Sequence, residues 1–323
     1  MIRITRRNAV ALGSTTLLLP SALRAQSAWP TGPVTFVVGY AAGGSSDINA
    51  RELAHIMSPV LGQQIIVDNK GGATGSIGLR AVANAKPDGY TLFFAVGTNV
   101  VINPHVQKGM IDTIASLAPI CQTTSYQYVL AVNPKVPAST AAELVALAKK
   151  DPEKLTYSSS GVGGNNHLAG ALFAETSGIQ LTHVPYKGTA EWTQALLGGE
   201  VHFICDGAQW APMVDSAKFR ILAMATEQRI AKYMDVPTLR ERGIDVVGQS
   251  PYGLVGPKDL PPNIVEAVHL AFKAAMADPR VDALLDSYIQ APWYKSPTEY
   301  RAFAEKYFVE VKPLLIKAGL AKA

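Results

Sequence analysis

Two stretches of this chain put glycines and hydroxyls where chemistry can use them. Ala41-Ala42-Gly43-Gly44-Ser45-Ser46-Asp47 follows the apolar run Val34 to Tyr40, and Ser158-Ser159-Ser160-Gly161-Val162-Gly163-Gly164-Asn165-Asn166-His167 follows Thr156-Tyr157. Each leads into a segment with helical spacing, so each ends where unpaired N–H groups and the helix dipole favour an anion. Glycine allows close backbone approach to a ligand, and serine adds hydroxyl donors. Neither stretch contains Lys or Arg, and the Gly-Lys-Ser/Thr of a phosphate-binding loop is absent. Gly161-x-Gly163-x-x-Asn166 also lacks the third glycine of a dinucleotide fingerprint. Two readings remain on composition alone: a site for a carboxylate or another modest anion, or two flexible turns.

Enzyme signatures are weaker. Thr74-Gly75-Ser76-Ile77-Gly78 has Thr where a nucleophile elbow has its first glycine. The six histidines (His55, His105, His167, His183, His202 and His269) show no metal-ligand spacing, so neither a metal nor a cofactor is expected. His167 opens a helix, where it either contacts a ligand or fills a surface position. Asp206 ends the strand Val201 to Cys205 and either caps the next segment or receives a donor group from a ligand. Trp210 and Tyr252 line a cleft or fill the core. An exported hydrolase using Ser160 or Ser76 with His167 is the enzymatic alternative. It lacks the elbow and a placed base, so a non-catalytic protein is expected.

The elements that must position these residues alternate. Strands are expected at Val34–Tyr40, Gln64–Val67 and Tyr90–Val96, with helices from Asp47 to Gly62 and near Ile77–Asn84. Ser46 or Asp47 is expected to cap the first helix. The grammar repeats at Tyr128–Val132, Thr156–Ser158, Leu181–Val184, Val201–Cys205 and Arg220–Ala225, with helices at Thr140–Lys150 and His167–Thr176. Long helices open at Pro261-Pro262 and at Pro297. Such alternation implies α/β lobes with helix-covered parallel sheets, and 323 residues suit two of them.

Charge separates the N-terminus from the rest. Lys and Arg number 29 against 25 acids, but Arg3, Arg6, Arg7 and Arg24 fall in the first 25 residues, which contain no acid. The remainder is neutral, so a nucleic-acid partner is not expected. Residues 1–28 have the form of an export signal: a basic start, the apolar run Ala9 to Leu19, then small residues with cleavage expected near Ala25 or Ala28. Arg6-Arg7 leaves twin-arginine and Sec export both open. The apolar run is about half the ~20 residues that cross a bilayer, so a soluble, periplasmic protein is expected. Cys121 and Cys205 are either two buried thiols or one disulfide.

Six blocks occur in register with one family. They are Ala41-Ala42-Gly43-Gly44-Ser45-Ser46-Asp47-Ile48-Asn49-Ala50-Arg51, Asn69 to Gly78, Pro87-Asp88-Gly89-Tyr90-Thr91-Leu92, His183-Val184-Pro185-Tyr186-Lys187-Gly188, Leu197-Gly198-Gly199-Glu200-Val201 and Asp235-Val236-Pro237-Thr238-Leu239. From about residue 29 onward the chain resembles the Bug (Bordetella uptake gene) or TctC-like extracytoplasmic solute receptors of tripartite tricarboxylate transporters. The resemblance implies an α/β, two-lobed periplasmic-binding-protein fold of the Venus-flytrap type. Lobe 1 would comprise 29–125 plus 252–323 and lobe 2 126–251, with crossings near Thr123–Tyr128 and Gly248–Gly253. It implies a small carboxylate held largely through backbone N–H groups and waters at Ala42, Gly43, Gly44 and Ser45, and at Ser160, Gly161 and Gly163. Gly97, Thr98 and Asp206 correspond to its further contact regions. Tyr40, Ala41, Asp47, Ser159, Asn165 and His167, in or beside the same loops, complete the expected set. The implied partners are membrane permease subunits, or a sensor protein to which ligand is presented. The family commonly has Pro-Phe and Phe-Asp-Asn where this chain has Gly39-Tyr40 and Cys205-Asp206-Gly207, followed by Gln209-Trp210. These departures turn the expected ligand toward a mono- or dicarboxylate with an apolar or aromatic body stacked on Tyr40 or Trp210.

Overall fold

A computed structural model describes residues 29–322. The export signal expected at 1–28 lies outside the described residues. Among the described residues eleven strands form two mixed sheets: β1 (Val34–Val38), β2 (Ile65–Asn69), β3 (Thr91–Val96), β4 (Leu117–Tyr126), β5 (Val129–Val132), β6 (Thr156–Ser159), β7 (Thr182–Pro185), β8 (Phe203–Asp206), β9 (Arg220–Met224), β10 (Ser250–Pro257) and β11 (Gln290–Lys295). The first sheet has the order β11-β4-β10-β3-β1-β2 and the second β7-β6-β8-β5-β9.

The parallel reading holds for only part of each sheet. β2, β1 and β3 run parallel, whereas β10, β4 and β11 join them antiparallel. In the second sheet β6 is parallel to β7 and β8, but β5 is antiparallel to both β8 and β9. The sequence reading assigned 117–126 and 250–257 no strand. Their Pro and Gly residues weaken the β signal. Both are nevertheless strands, paired to each other with register shifts beside Pro251 and Leu254. The chain leaves the first sheet after Tyr126, enters the second at Val129, and returns at Ser250.

Burial follows the apolar pattern. Val34, Phe36, Val37 and Val38 are covered on both faces, as a near-continuous apolar strand should be. The helix Ser45–Leu61 buries Ala50, Leu53, Ala54 and Met57 on one stripe and stops at Gly62, whose φ of 69° suits glycine. Burying a Leu or Met side chain contributes roughly 1.5–3 kcal/mol, so this stripe fixes the helix to its sheet. That anchoring aims the helix N-terminus beyond the carboxyl end of β1. Cys121 and Cys205 are both buried free thiols, on β4 and β8. Among the described residues no helix is long and apolar enough to cross a membrane.

Candidate functional site

Three helices begin around one small cavity: Ser45–Leu61, Asn165–Ser177 and Thr189–Gly198. Their N-caps are Gly44, Gly164 and Gly188, none of which receives a side-chain cap. The Ser46 or Asp47 cap expected from sequence is therefore displaced to Gly44. Asp47 sits in the first turn and reaches back to accept the Gly43 N–H at 2.9 Å. Without a capping side chain on these glycines, the helix dipoles and those first-turn N–H groups that find no other partner are left for an anion, although the Asn165 and His167 N–H groups are already bonded to Thr98 Oγ1 and Asn166 Oδ1.

The cavity has a volume of 40 Å³. A water needs about 10–15 Å³ by the same measure, so roughly three waters, or one carboxylate group and its neighbours, would fill it. Of the residues expected from sequence, Tyr40, Ser45, Thr98, Ser160, Asn165 and Asp206 line it. Ala42 and Gly43 are exposed and do not line it, while Gly97 is packed against Pro251. Ala41, Gly44, Gly161 and Gly163 shape the loops without lining the cavity.

Ser159 and His167 face elsewhere. The Ser159 hydroxyl meets His183 Nε2 at 2.7 Å and accepts the Gly161 N–H at 3.1 Å. His167 Nδ1 accepts the Gly163 N–H at 2.9 Å, and its ring stacks on His183 at 3.7 Å. Burial, then the neighbouring His183, pushes His167 down to about 3; burial pushes His183 down to about 4. Both imidazoles are therefore neutral near pH 7. Trp210 is fully buried, donates to the Gln127 carbonyl at 2.8 Å and does not line the cavity. Of the two rings expected to stack on a ligand, only Tyr40 remains.

Tyr252, one of the two aromatics that the sequence offered for a cleft, also lines the cavity, as do Ser46, Tyr128, Asn166, Thr189 and Ser250, which were not singled out as contacts from sequence. Gly188-Thr189 repeats the strand–glycine–hydroxyl–helix pattern of the first loop, a signal that could have found it. The hydroxyls of Ser45 and Ser46 meet that of Tyr252 at 3.2 and 3.3 Å. Burial pushes the Tyr252 phenol up to about 12, so it stays protonated. The lobes touch directly: Ser45 Oγ and Thr189 Oγ1 are 3.0 Å apart, the Asn165 N–H donates to Thr98 Oγ1 at 3.0 Å, and Thr74 Oγ1 donates to the Val162 carbonyl at 2.9 Å. Thr98 belongs to a π-helical turn, Thr98–Ile102, an uncommon geometry that often marks functional sites.

Asp206 forms the acceptor side. Oδ1 takes the N–H groups of Gly207 and Ala208 at 2.6 and 3.0 Å, and Oδ2 takes Asn166 Nδ2 at 2.6 Å. Burial raises its carboxyl to about 6, partly offset by those three bonds. No Lys, Arg or His lines the cavity among the described residues. The hydrolase candidates are poorly placed: Ser160 Oγ is bonded by Asn166 and Ser76 Oγ donates to Gln107, so neither meets His167.

Two lobes joined by crossing strands, with helix N-termini facing a cavity at their junction, define a solute-binding protein. A family model described as the tripartite tricarboxylate transporter family receptor, TctC, matches residues 49–320, and the chain belongs to that family. It is 41% identical over 295 residues to the UPF0065 protein in the gbd 5′ region of Cupriavidus necator, covering 91% of this chain and 90% of that one. It is 28% identical over 284 residues to the protein BugT of Bordetella pertussis, covering 85% and 86%. Among solved structures, the periplasmic binding protein BugD superposes with a TM-score of 0.86 at 30% identity, over 91% of this chain and all (100%) of that one. An R. palustris protein solved with adipate gives 0.86 at 28% identity, over 91% and 99%. Members of the family are periplasmic receptors that serve transporter permeases.

Proposed function

We propose that this chain is an exported, non-catalytic receptor that closes two lobes on a small carboxylate and presents it to the permease of a tripartite tricarboxylate transporter. One observation carries the reading: three glycine-capped helix N-termini meet at a cavity that has hydroxyl donors and no cationic side chain. Such a site suits a modest anion held by N–H and O–H groups. The lobes divide near residues 125 and 252, and the strand ends at Tyr126 and Ser250 act as the hinge. Ligand affinity for the closed arrangement is sufficient for function; no bond is made or broken. The adipate-bound relative supports the carboxylate class.

Thermal unfolding of residues 29–323 with millimolar aliphatic and aromatic carboxylates tests this. A ligand at ~100 times its dissociation constant adds about 2.7 kcal/mol, a rise of several degrees in Tm. The ligand should be recovered chemically unchanged. If no carboxylate raises Tm, the ligand class falls, and if the ligand returns transformed, the non-catalytic reading falls.

A further inference from the structure

The cavity offers a ligand more than donors. Asp206 is 5% exposed, and its carboxylate takes three hydrogen bonds, leaving about one acceptor direction on Oδ2. Asn165 is 6% exposed and lines the same cavity. Its backbone N–H is satisfied by Thr98, yet neither Oδ1 nor Nδ2 of its side chain has a partner. A buried amide left wholly unpaired is costly and calls for an explanation. Water could meet it, but so could a ligand.

Charge narrows the choice. The ionisable groups around Asp206 are Tyr128 before β5, Cys205 on β8, Tyr40 after β1 and Tyr252 on β10, all neutral near pH 7; the Asn165 helix contributes the uncharged Asn166. His167, on that helix, is turned onto His183. A ligand carboxylate therefore arrives beside a buried carboxylate with no cation to balance either. A hydroxyl or ammonium on the ligand would replace that repulsion with a bond to Asp206 Oδ2 and satisfy Asn165 Oδ1, while Asn165 Nδ2 donates to the ligand carboxylate. A bare alkyl chain would leave both acceptors unpaired. A space of 40 Å³ suits a donor within a bond or two of the carboxyl group. We propose that Asp206 and Asn165 select a short monocarboxylate bearing a hydrogen-bond donor, hydroxyl or ammonium, on the carbon next to the carboxyl group.

The inference rests on the carboxylate-receptor reading and is separable from it. Calorimetric titration of residues 29–323 with propionate, lactate and alanine compares one carbon skeleton with hydrogen, hydroxyl or ammonium at the same position. At pH 8, at least one of lactate and alanine should bind ~tenfold or more tightly than propionate, since a site built for a donor rejects the analogue lacking it. Preference for lactate identifies the hydroxyl, and preference for alanine the ammonium. At pH 5, where the raised Asp206 carboxyl is largely protonated and can itself donate, the preference should shrink. Asp206→Asn should bring the three ligands to within about threefold of one another. Should that variant fail to fold, Asn165→Ala serves instead, because the side chain it removes makes no bond within the protein. Equal binding of all three at pH 8 overturns the selection while leaving the carboxylate receptor intact. So does binding of longer carboxylates but none of these three. Absence of any carboxylate binding in the thermal panel overturns the receptor reading itself.

Discussion

The loops Tyr40–Asp47 and Ser159–His167 use one backbone device with two different locks. In each, a glycine at φ 77° (Gly43, Gly163) precedes a glycine N-cap (Gly44, Gly164), and the third helical residue accepts the first glycine's N–H at 2.9 Å. In the first lobe that acceptor is Asp47, ion-paired with Arg51 at 2.9 Å on the helix surface. Burial alone would push its carboxyl up, but bonds from Arg51, the Gly43 N–H and Asn69 hold it below the ordinary range. In the second lobe the acceptor is the neutral imidazole of His167, stacked on another neutral imidazole. The difference follows from the surroundings. An anion at 167 would sit in the first turn of the helix whose Asn166 already holds the buried Asp206, with no cation lining the cavity. An uncharged acceptor closes the loop without adding a second uncompensated charge.

The largest way to separate the loops is to load their glycines. A Cβ at Gly43 meets nothing within 4 Å, so Gly43→Ala should lose only the left-handed preference, about 1–2 kcal/mol by urea unfolding. At Gly163 the same atom falls 2.5 Å from Val106 Cγ2, and Gly163→Ala should lose roughly 2–4 kcal/mol. Equal losses would mean that the second loop is not packed as described.

Removing the neutral lock comes next. His167→Ala leaves the buried Gly163 N–H without its acceptor and should cost about 1–3 kcal/mol. His167→Gln, which can keep an acceptor, should recover part of that in the same urea series.

Acidification should open the loops at different pH. The folded-state values of His167 and His183, about 3 and 4, lie below the unfolded 6.5, so the unfolded chain binds more protons in between. Their contribution is complete above pH 6.5 and is lost as pH falls toward 4 and then 3. Asp206 acts oppositely: raised to about 6, it contributes fully below 3.8 and loses that contribution as pH rises through 6. Two histidines against one aspartate give a net loss on acidification. By NMR, the Gly163 amide resonance should move as pH falls through about 4 and then about 3, where His183 and His167 take up protons in the folded state, while Gly43, held by a carboxylate with a lowered value, should move only below the ordinary carboxylate range. Simultaneous movement would break the comparison.

The smallest effect is expected at the charged lock. Asp47→Asn keeps an oxygen for the Gly43 N–H and loses mainly an ion pair to an Arg51 that is half exposed, so less than about 1 kcal/mol should disappear in urea unfolding.

Local sequence determined a good deal of this protein. The six family blocks, the strand–glycine–helix grammar, the absence of cations from both loops and the zero net charge beyond residue 25 all rest on residue type and short spacing. Tyr40, Ser45, Ser160 and Asn165 lie in or beside the two loops, because a loop between a buried strand and an amphipathic helix must lie beyond the strand's carboxyl end, whereas Thr98 came only with the family resemblance and Asp206 with its strand end. Tertiary structure decided what local pattern cannot encode. Ser45 meets Thr189 across 144 residues and Tyr252 across 207, and no periodicity specifies a partner at that range. Helical spacing places His167 at a helix start, but no local pattern says which way its ring or that of Trp210 turns; packing sent Trp210 to Gln127 and Tyr233 and His167 to its own loop. Polar, proline-bearing segments such as 117–126 and 250–257 became strands because, side by side, each satisfies the other's backbone groups. That reason exists only once the chain has folded.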